Sequence, residues 1–212
     1  MKRLLFILHL SSFILFSSCA PSPASTPQLI AVYATPAAQP WLSELYDCAD
    51  SASLILNLTP DAPQILLRLG EPADLSTPAY QIDTEDILIV VHRASPVQNL
   101  ALAQARDLFA GRGDPSLQIW VYDSSTDVQA IFDQTVMRGW NITSSARLAA
   151  DPQQMSDLLN SDPTAVGILP RRWKTGDTRE VFVIPSIPVL AITPSEPQGA
   201  LRDLIACLQG DE

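Results

Sequence analysis

The run DILIVVHRASPVQNLALAQARDLFAG, Asp86 to Gly111, changes character in its middle. Ile87 to Val91 is unbroken, apolar and largely β-branched, which reads as a short strand buried on both faces. His92-Arg93-Ala94-Ser95-Pro96 interrupts it. Ser95-Pro96-Val97 then offers a polar cap and a first-turn proline, so a helix is predicted to start here. Leu100, Leu102, Ala105, Leu108 and Phe109 form its apolar face, and Gly111 stops it. The stretch therefore predicts a buried strand leaving one structural unit and a helix opening the next.

Working outward, strands and helices alternate. Gln28 to Tyr33 reads as a strand, Ala34-Thr35-Pro36 as a turn, and Trp41, Leu42, Leu45, Tyr46 and Cys48 as the inner face of a helix. Leu54 to Leu58 is a second strand, Pro63 to Leu69 a short helix stopped by Gly70, and Tyr80 to Glu85 a polar lead-in to the run above. Beyond it come a strand at Leu117 to Tyr122 and a helix from Asp127 to Arg138 with Val128, Ile131, Phe132, Val136 and Met137 inward. A helix at Pro152 to Asn160, a strand ending at Pro170 and a last amphipathic helix from Pro197 to Leu208 follow. Val181 to Ile184 and Val189 to Ile192 flank Pro185-Ser186-Ile187-Pro188, a return crossover with prolines where a strand leaves one sheet for the other. This alternation predicts α/β layers with parallel sheets.

The N-terminus has Lys2 and Arg3, an apolar segment Leu4 to Phe16, then Ser17-Ser18-Cys19-Ala20. A basic start, a short apolar core and small residues mark a secretory signal, too short to be a comfortable membrane span. Small residues before the cysteine resemble the lipobox of bacterial lipoproteins, although Phe16 stands where leucine is usual. That resemblance implies a signal over residues 1–18, acylation of Cys19, and a location in the cell envelope on the extracytoplasmic face of the membrane. Pro21 to Pro27 suits a semi-extended tether, placing residues 19–27 outside the folded part. Losing Lys2 and Arg3 and no acid takes the formal charge from −10 to −12. So acidic a chain lacks the basic footprint that nucleic acid requires. With Cys19 lipidated, Cys48 and Cys207 remain, and two cysteines in an oxidising compartment predict one disulfide. His92 is then the only histidine, which leaves no His-rich or CxxC metal site. No cofactor is implied.

The run around Asp86 also resembles the phosphate-type solute-binding proteins of ABC transporters, in which an "ivvnp" strand leaves the first lobe and "pv.nLt...l.diFaG" opens the second. Asp162-Pro163-Thr164-Ala165-Val166-Gly167-Ile168-Leu169-Pro170 is similar to the family's "pgaIGYvp" strand. The resemblance implies a two-lobed, type II periplasmic-binding-protein-like α/β fold: two parallel-rich sheets flanked by helices and joined by two crossover strands. Lobe one would comprise 28–92 plus 187–212, and lobe two 93–186.

In function, it implies capture of a small solute, a phosphate-like anion or another small molecule, in an interlobe cleft for delivery to an ABC permease by a monomer, with no catalysis. Thr35 matches the hydroxyl residue of the first strand–helix turn, whose N–H groups suit an anion; it equally serves as a plain helix cap. Asp74 matches the acid that accepts a hydrogen bond from a protonated ligand oxygen. Ser124, Ser125 and Thr126 match the "SGT" helix start, and Ser124-x-x-Asp127 also reads as an ordinary capping sequence. Two departures bear on the ligand. Trp120 stands where the family has its arginine, placing an indole in the cleft, and Asn57 to Pro63 replaces the Ser-Gly-x-Gly turn. Weak or absent phosphate binding is therefore expected, unless Arg93 or Arg171 supplies the charge. The basic Arg171-Arg172-Trp173-Lys174 reads as a solvated loop, with sheltering an anion or meeting the membrane surface as alternatives. The alternative is a degenerate binding module serving as a sensor or partner-binding lipoprotein without a transport role. An esterase using a serine with His92 is a third class.

Overall fold

A computed structural model describes residues 28–210. The signal expected over residues 1–18, the expected acylation site Cys19 and the expected tether to residue 27 lie outside the described residues. Eight strands form one continuous sheet in the order β2-β1-β3-β8-β4-β7-β5-β6. β1 (Leu29–Ala34) pairs in parallel with β2 (Ile55–Leu58) and β3 (Ile65–Leu69). β5 (Gln118–Val121) pairs in parallel with β6 (Arg147–Leu148) and β7 (Ala165–Pro170). Between these groups run two long antiparallel strands, β4 (Ala79–His92) and β8 (Thr178–Ile192). The two parallel-rich halves are thus fused through the crossover pair into a single ladder.

The apolar pattern explains the centre. Ile87 to Val91 are all fully buried, and every residue of β7 is buried beside them. Of the helices, α1 (Leu42–Ser51) and α5 (Ala200–Leu208) pack together on the β1–β3 side. α2 (Leu102–Asp107), α3 (Asp127–Phe132) and α4 (Pro152–Ser161) follow strands of the other side. Both α2 and α3 run on through a wider turn, to Arg112 and Met137 respectively. Phe109 and Phe132, both fully buried, meet at a ring-centroid distance of 4.6 Å.

Three expectations are corrected. Pro63 to Leu69 is not a helix: Ile65–Leu69 is a strand whose residues alternate between buried and half-buried. A short apolar run has no readable period of its own, and here β1 and β8 offer it ladder partners on both sides. The helix expected from Ser95 begins only at Leu102. Arg179 draws the Ser95 and Val97 carbonyl oxygens onto Nη2 at 2.8 and 2.6 Å, which removes the acceptors that a helix would have used internally. The polar lead-in Tyr80 to Glu85 is part of β4, paired with the far half of β8.

The crossover pair is irregular where it passes between the halves. Register shifts fall at Gln81/Asp83, Glu85/Ile87 and Ile89/Val90, and Ser186 has a positive φ of 58°. Gly70, at φ 64°, turns the chain out of β3. An added Cβ would lie 3.0 Å from Ile131 Cδ1, so glycine here lets α3 approach the end of β3.

Candidate functional site: a carboxylate between the two halves

Thr35 follows β1 and begins the tight turn Pro36–Trp41 that leads into α1. Its side chain caps no helix N–H. Instead Thr35 Oγ1 donates to Asp127 Oδ2 at 2.7 Å, across the interface. The same oxygen accepts from the Leu69 backbone N–H at 2.9 Å, at the end of β3. Asp127 Oδ1 accepts from the Val128 N–H at 2.9 Å, at the start of α3. One carboxylate therefore collects donors from the end of β1, the end of β3 and the first turn of α3.

Asp127 is only 4 % exposed, and no arginine or lysine of the described residues pairs with it. A buried charge without a counter-ion is tolerable when its oxygens are hydrogen-bonded. The positive end of α3 adds to this. Little space is left: a cavity of about 10 Å³ remains between Pro36, Tyr122, Thr126, Asp127 and Pro152. That is room for roughly one water molecule and no more.

The other expected ligand residues are placed differently. Thr126 is the N-cap of α3, accepting from the Gln129 N–H at 3.3 Å. The cap is therefore Thr126 and not Ser124, and Asp127 is the first helical residue. Ser124 is exposed in the preceding turn. Ser125 donates its hydroxyl to Asp123 Oδ1 at 2.7 Å and its N–H to the same oxygen at 2.9 Å, closing a local turn. Those bonds hold the Asp123 carboxyl below its usual value.

Asp74 sits exposed in the turn between β3 and β4, with no side-chain hydrogen bond to a described residue. Trp120 does not line the cavity; its ring packs against the core beside Arg147, and its Nε1 is buried with no hydrogen-bond partner among the described residues. The structure thus brings Thr35 and Thr126 to the interface, together with an acid that comes from the opposite half to Asp74. Asp127 was hidden as a residue of a capping pattern. Its burial is set by Thr35 and Leu69, distant in sequence, so no local signal marks it.

A second group of contacts crosses beside the first. Arg172, beyond β7, bonds Glu44 Oε1 and Asp83 Oδ2, both at 2.8 Å, and its guanidinium lies 4.2 Å from the Trp41 ring centroid. Trp173 Nε1 donates to the Ala37 carbonyl at 3.1 Å. The basic segment is therefore a clasp and not a solvated loop. Burial alone would raise the Asp83 carboxyl, but bonds from Trp41 and Thr84 and the Arg172 charge hold it below its ordinary value. Burial raises Glu85, which accepts from the Asp86 and Arg172 N–H groups. Burial, reinforced by Asp151 and Asp127, pushes the Tyr122 hydroxyl well above its normal range, so it stays a donor to the Ile168 carbonyl at 2.8 Å.

Neither arginine proposed as a substitute charge is free. Arg171 pairs with Asp86 at 3.1 Å and Glu180 at 2.9 Å, and Arg93 pairs with Asp177 at 3.2 Å. His92 Nδ1 accepts from the Ala94 N–H at 3.0 Å, a turn contact. No cluster of metal-ligating side chains occurs among the described residues.

The architecture is the type II periplasmic-binding-protein-like fold, as solved structures bear out. A protein described as a phosphate ABC transporter substrate-binding protein from Clostridium perfringens, with phosphate bound, superposes with a TM-score of 0.77 at 12 % identity, covering 85 % of this chain and 93 % of that one. An ABC-type phosphate transport receptor from Vibrio cholerae gives 0.66 at 14 % identity, with the same coverage. The CcmR regulatory domain of Synechocystis in complex with 2-PG gives 0.68 at 8 % identity, covering 86 % of this chain and 96 % of that one. These three are binding and regulatory domains. No protein-family model matches the chain. No curated protein matches it by sequence.

Proposed function

We propose that this chain is an envelope lipoprotein, anchored through Cys19, whose binding-protein-like domain acts as a partner-binding or sensing module with its cleft filled by its own Asp127. The observation that carries this is the Asp127 carboxylate on Thr35 Oγ1 and Leu69 N, with about 10 Å³ left beside it. A solute shuttle works because ligand contacts to both lobes exist only in the closed state, and the hinge moves by that differential affinity. Here Asp127 makes those cross-lobe contacts without a ligand. A phosphate on the same donors would face the Asp127 charge at contact distance. Two unit charges 4 Å apart repel by about 4 kcal/mol at an effective dielectric constant of 20.

Titration calorimetry on the mature, lipid-free chain checks this: phosphate and sulfate are expected to bind no tighter than millimolar. A sub-micromolar dissociation constant for phosphate overturns the reading. It would restore capture of a small anion for an ABC permease, the role favoured by the fold's likeness to two phosphate-transport proteins.

A further inference from the structure

The β1–β3 half of the sheet has two unequal faces. Ile30, Val32, Ile65, Leu67 and Leu69 point one way and are all fully buried. The alternate residues Leu29, Tyr33 and Ile55 point the other way and remain exposed, Leu29 at 58 % and Ile55 at 50 %. Leu29 and Ile55 are register partners, and half-buried Ala31 and Leu66 continue the strip inward, Leu66 beside Tyr33. β2 is the outer strand of the sheet, so the strip runs to an edge. Exposed Asn57, the register partner of Ala31, and half-buried Arg68 share this face, so it is amphipathic, with its exposed leucine and isoleucine gathered at the edge. Exposed apolar side chains clustered in this way mark a contact site.

We propose that this face lies against the bilayer that holds the Cys19 lipid. The inference rests on the lipoprotein reading above. Where the chain enters the fold argues for it: Leu29 is the first residue of β1 and only ten positions after Cys19. Ten residues, fully extended, span at most about 36 Å, so the acyl chains and the strip are held in one neighbourhood. Such tethering supplies a high effective concentration, and a weakly apolar face is then enough to dock. The residues suit an interface: leucine and isoleucine to bury, Tyr33 with an apolar ring and a polar tip, and Arg68 on the same face as a long amphipathic side chain. The chain's acidity rules out attraction to anionic lipid as the driving force, so docking is apolar and insensitive to salt.

The test uses the full lipidated protein in phosphatidylcholine vesicles, carrying an environment-sensitive fluorophore on Ile55→Cys. A control carries it on Leu148→Cys, 61 % exposed on β6 at the opposite edge of the sheet. At position 55 the label is expected to shift to the blue and to be quenched several-fold more by brominated lipid than at position 148. Equal quenching at both positions overturns the proposal. A blue shift at 55 that persists in the Cys19→Ala chain in buffer, with neither vesicles nor detergent, also overturns it, in favour of a second copy on this face. In parallel, Cys19→Ala should leave the membrane fraction. If that variant stays bound, the anchor reading fails and this inference with it. If it is released while positions 55 and 148 are quenched alike, the anchor stands and only the docking face is lost.

Discussion

Reducing the Cys48–Cys207 bond lowers the unfolding free energy by up to about 5 kcal/mol, the chain-entropy value for so long a closed loop. The two cysteines are 159 residues apart, with Cα atoms 5.9 Å from each other. Their Cα separation falls inside the range a disulfide can bridge. The bond ties α1 to α5, the last element of the fold, and so closes nearly the whole described chain into one loop. Leu204 and Ile205 keep α5 docked in the reduced protein, so reduction weakens the fold without removing a helix from it. At about 2–4 °C per kcal/mol for a chain of this size, the melting temperature should fall by roughly 10–20 °C. Residual structure in the reduced unfolded chain brings the effect down from that ceiling. Thermal melts with and without dithiothreitol, and of the Cys48→Ser/Cys207→Ser variant, measure it. Two free thiols in protein purified from the cell envelope, or melts that coincide, would remove the bond from the account.

How far the sequence could be read follows from where each signal lies. The α/β alternation and the two crossovers were legible because their carriers, Ile87 to Val91 and Val189 to Ile192, are contiguous apolar runs that can only be buried. The strand–turn–helix junction at Thr35 was legible because it is local, but the hydroxyl's bond to Asp127, 92 positions off, was not. Ile65–Leu69 was misread because so short a run, four apolar residues and Arg68, carries no decisive period, and only neighbouring strands decide its state. The start of α2 was misread because Arg179, more than 80 residues away, takes the carbonyls of residues 95 and 97. Arg172 looked like a surface charge because its partners, Glu44 and Asp83, lie 128 and 89 positions off. The same distance hid Asp127. In each case the misread residue obeys a partner brought in by the tertiary fold, and the cleft, made where two halves meet, is built from such partners almost entirely.

Asp127→Ala should destabilise the protein by roughly 2–4 kcal/mol, because it leaves the Thr35 hydroxyl and the Leu69 and Val128 N–H groups without their acceptor in a buried place. Water can enter the small cavity beside it and relieve part of the loss, which keeps the figure below the sum of three orphaned donors. Asp127→Asn is not a neutral replacement. Both carboxylate oxygens accept, whereas an amide has one acceptor and one NH₂ group, which must then face an N–H donor. Its cost should fall between wild type and Asp127→Ala. Thr35→Val removes one hydroxyl at constant shape and should cost about 1.5–3 kcal/mol, the range for a hydrogen bond to a charged group. The decisive quantity is the coupling between the two sites. If the Thr35–Asp127 bond holds the halves together, the double variant costs less than the two single variants combined, by at least 1 kcal/mol. Urea unfolding of the four proteins gives that number directly. Strictly additive single effects would mean that the two side chains are merely adjacent, and the built-in carboxylate would lose its role as the cleft's own ligand.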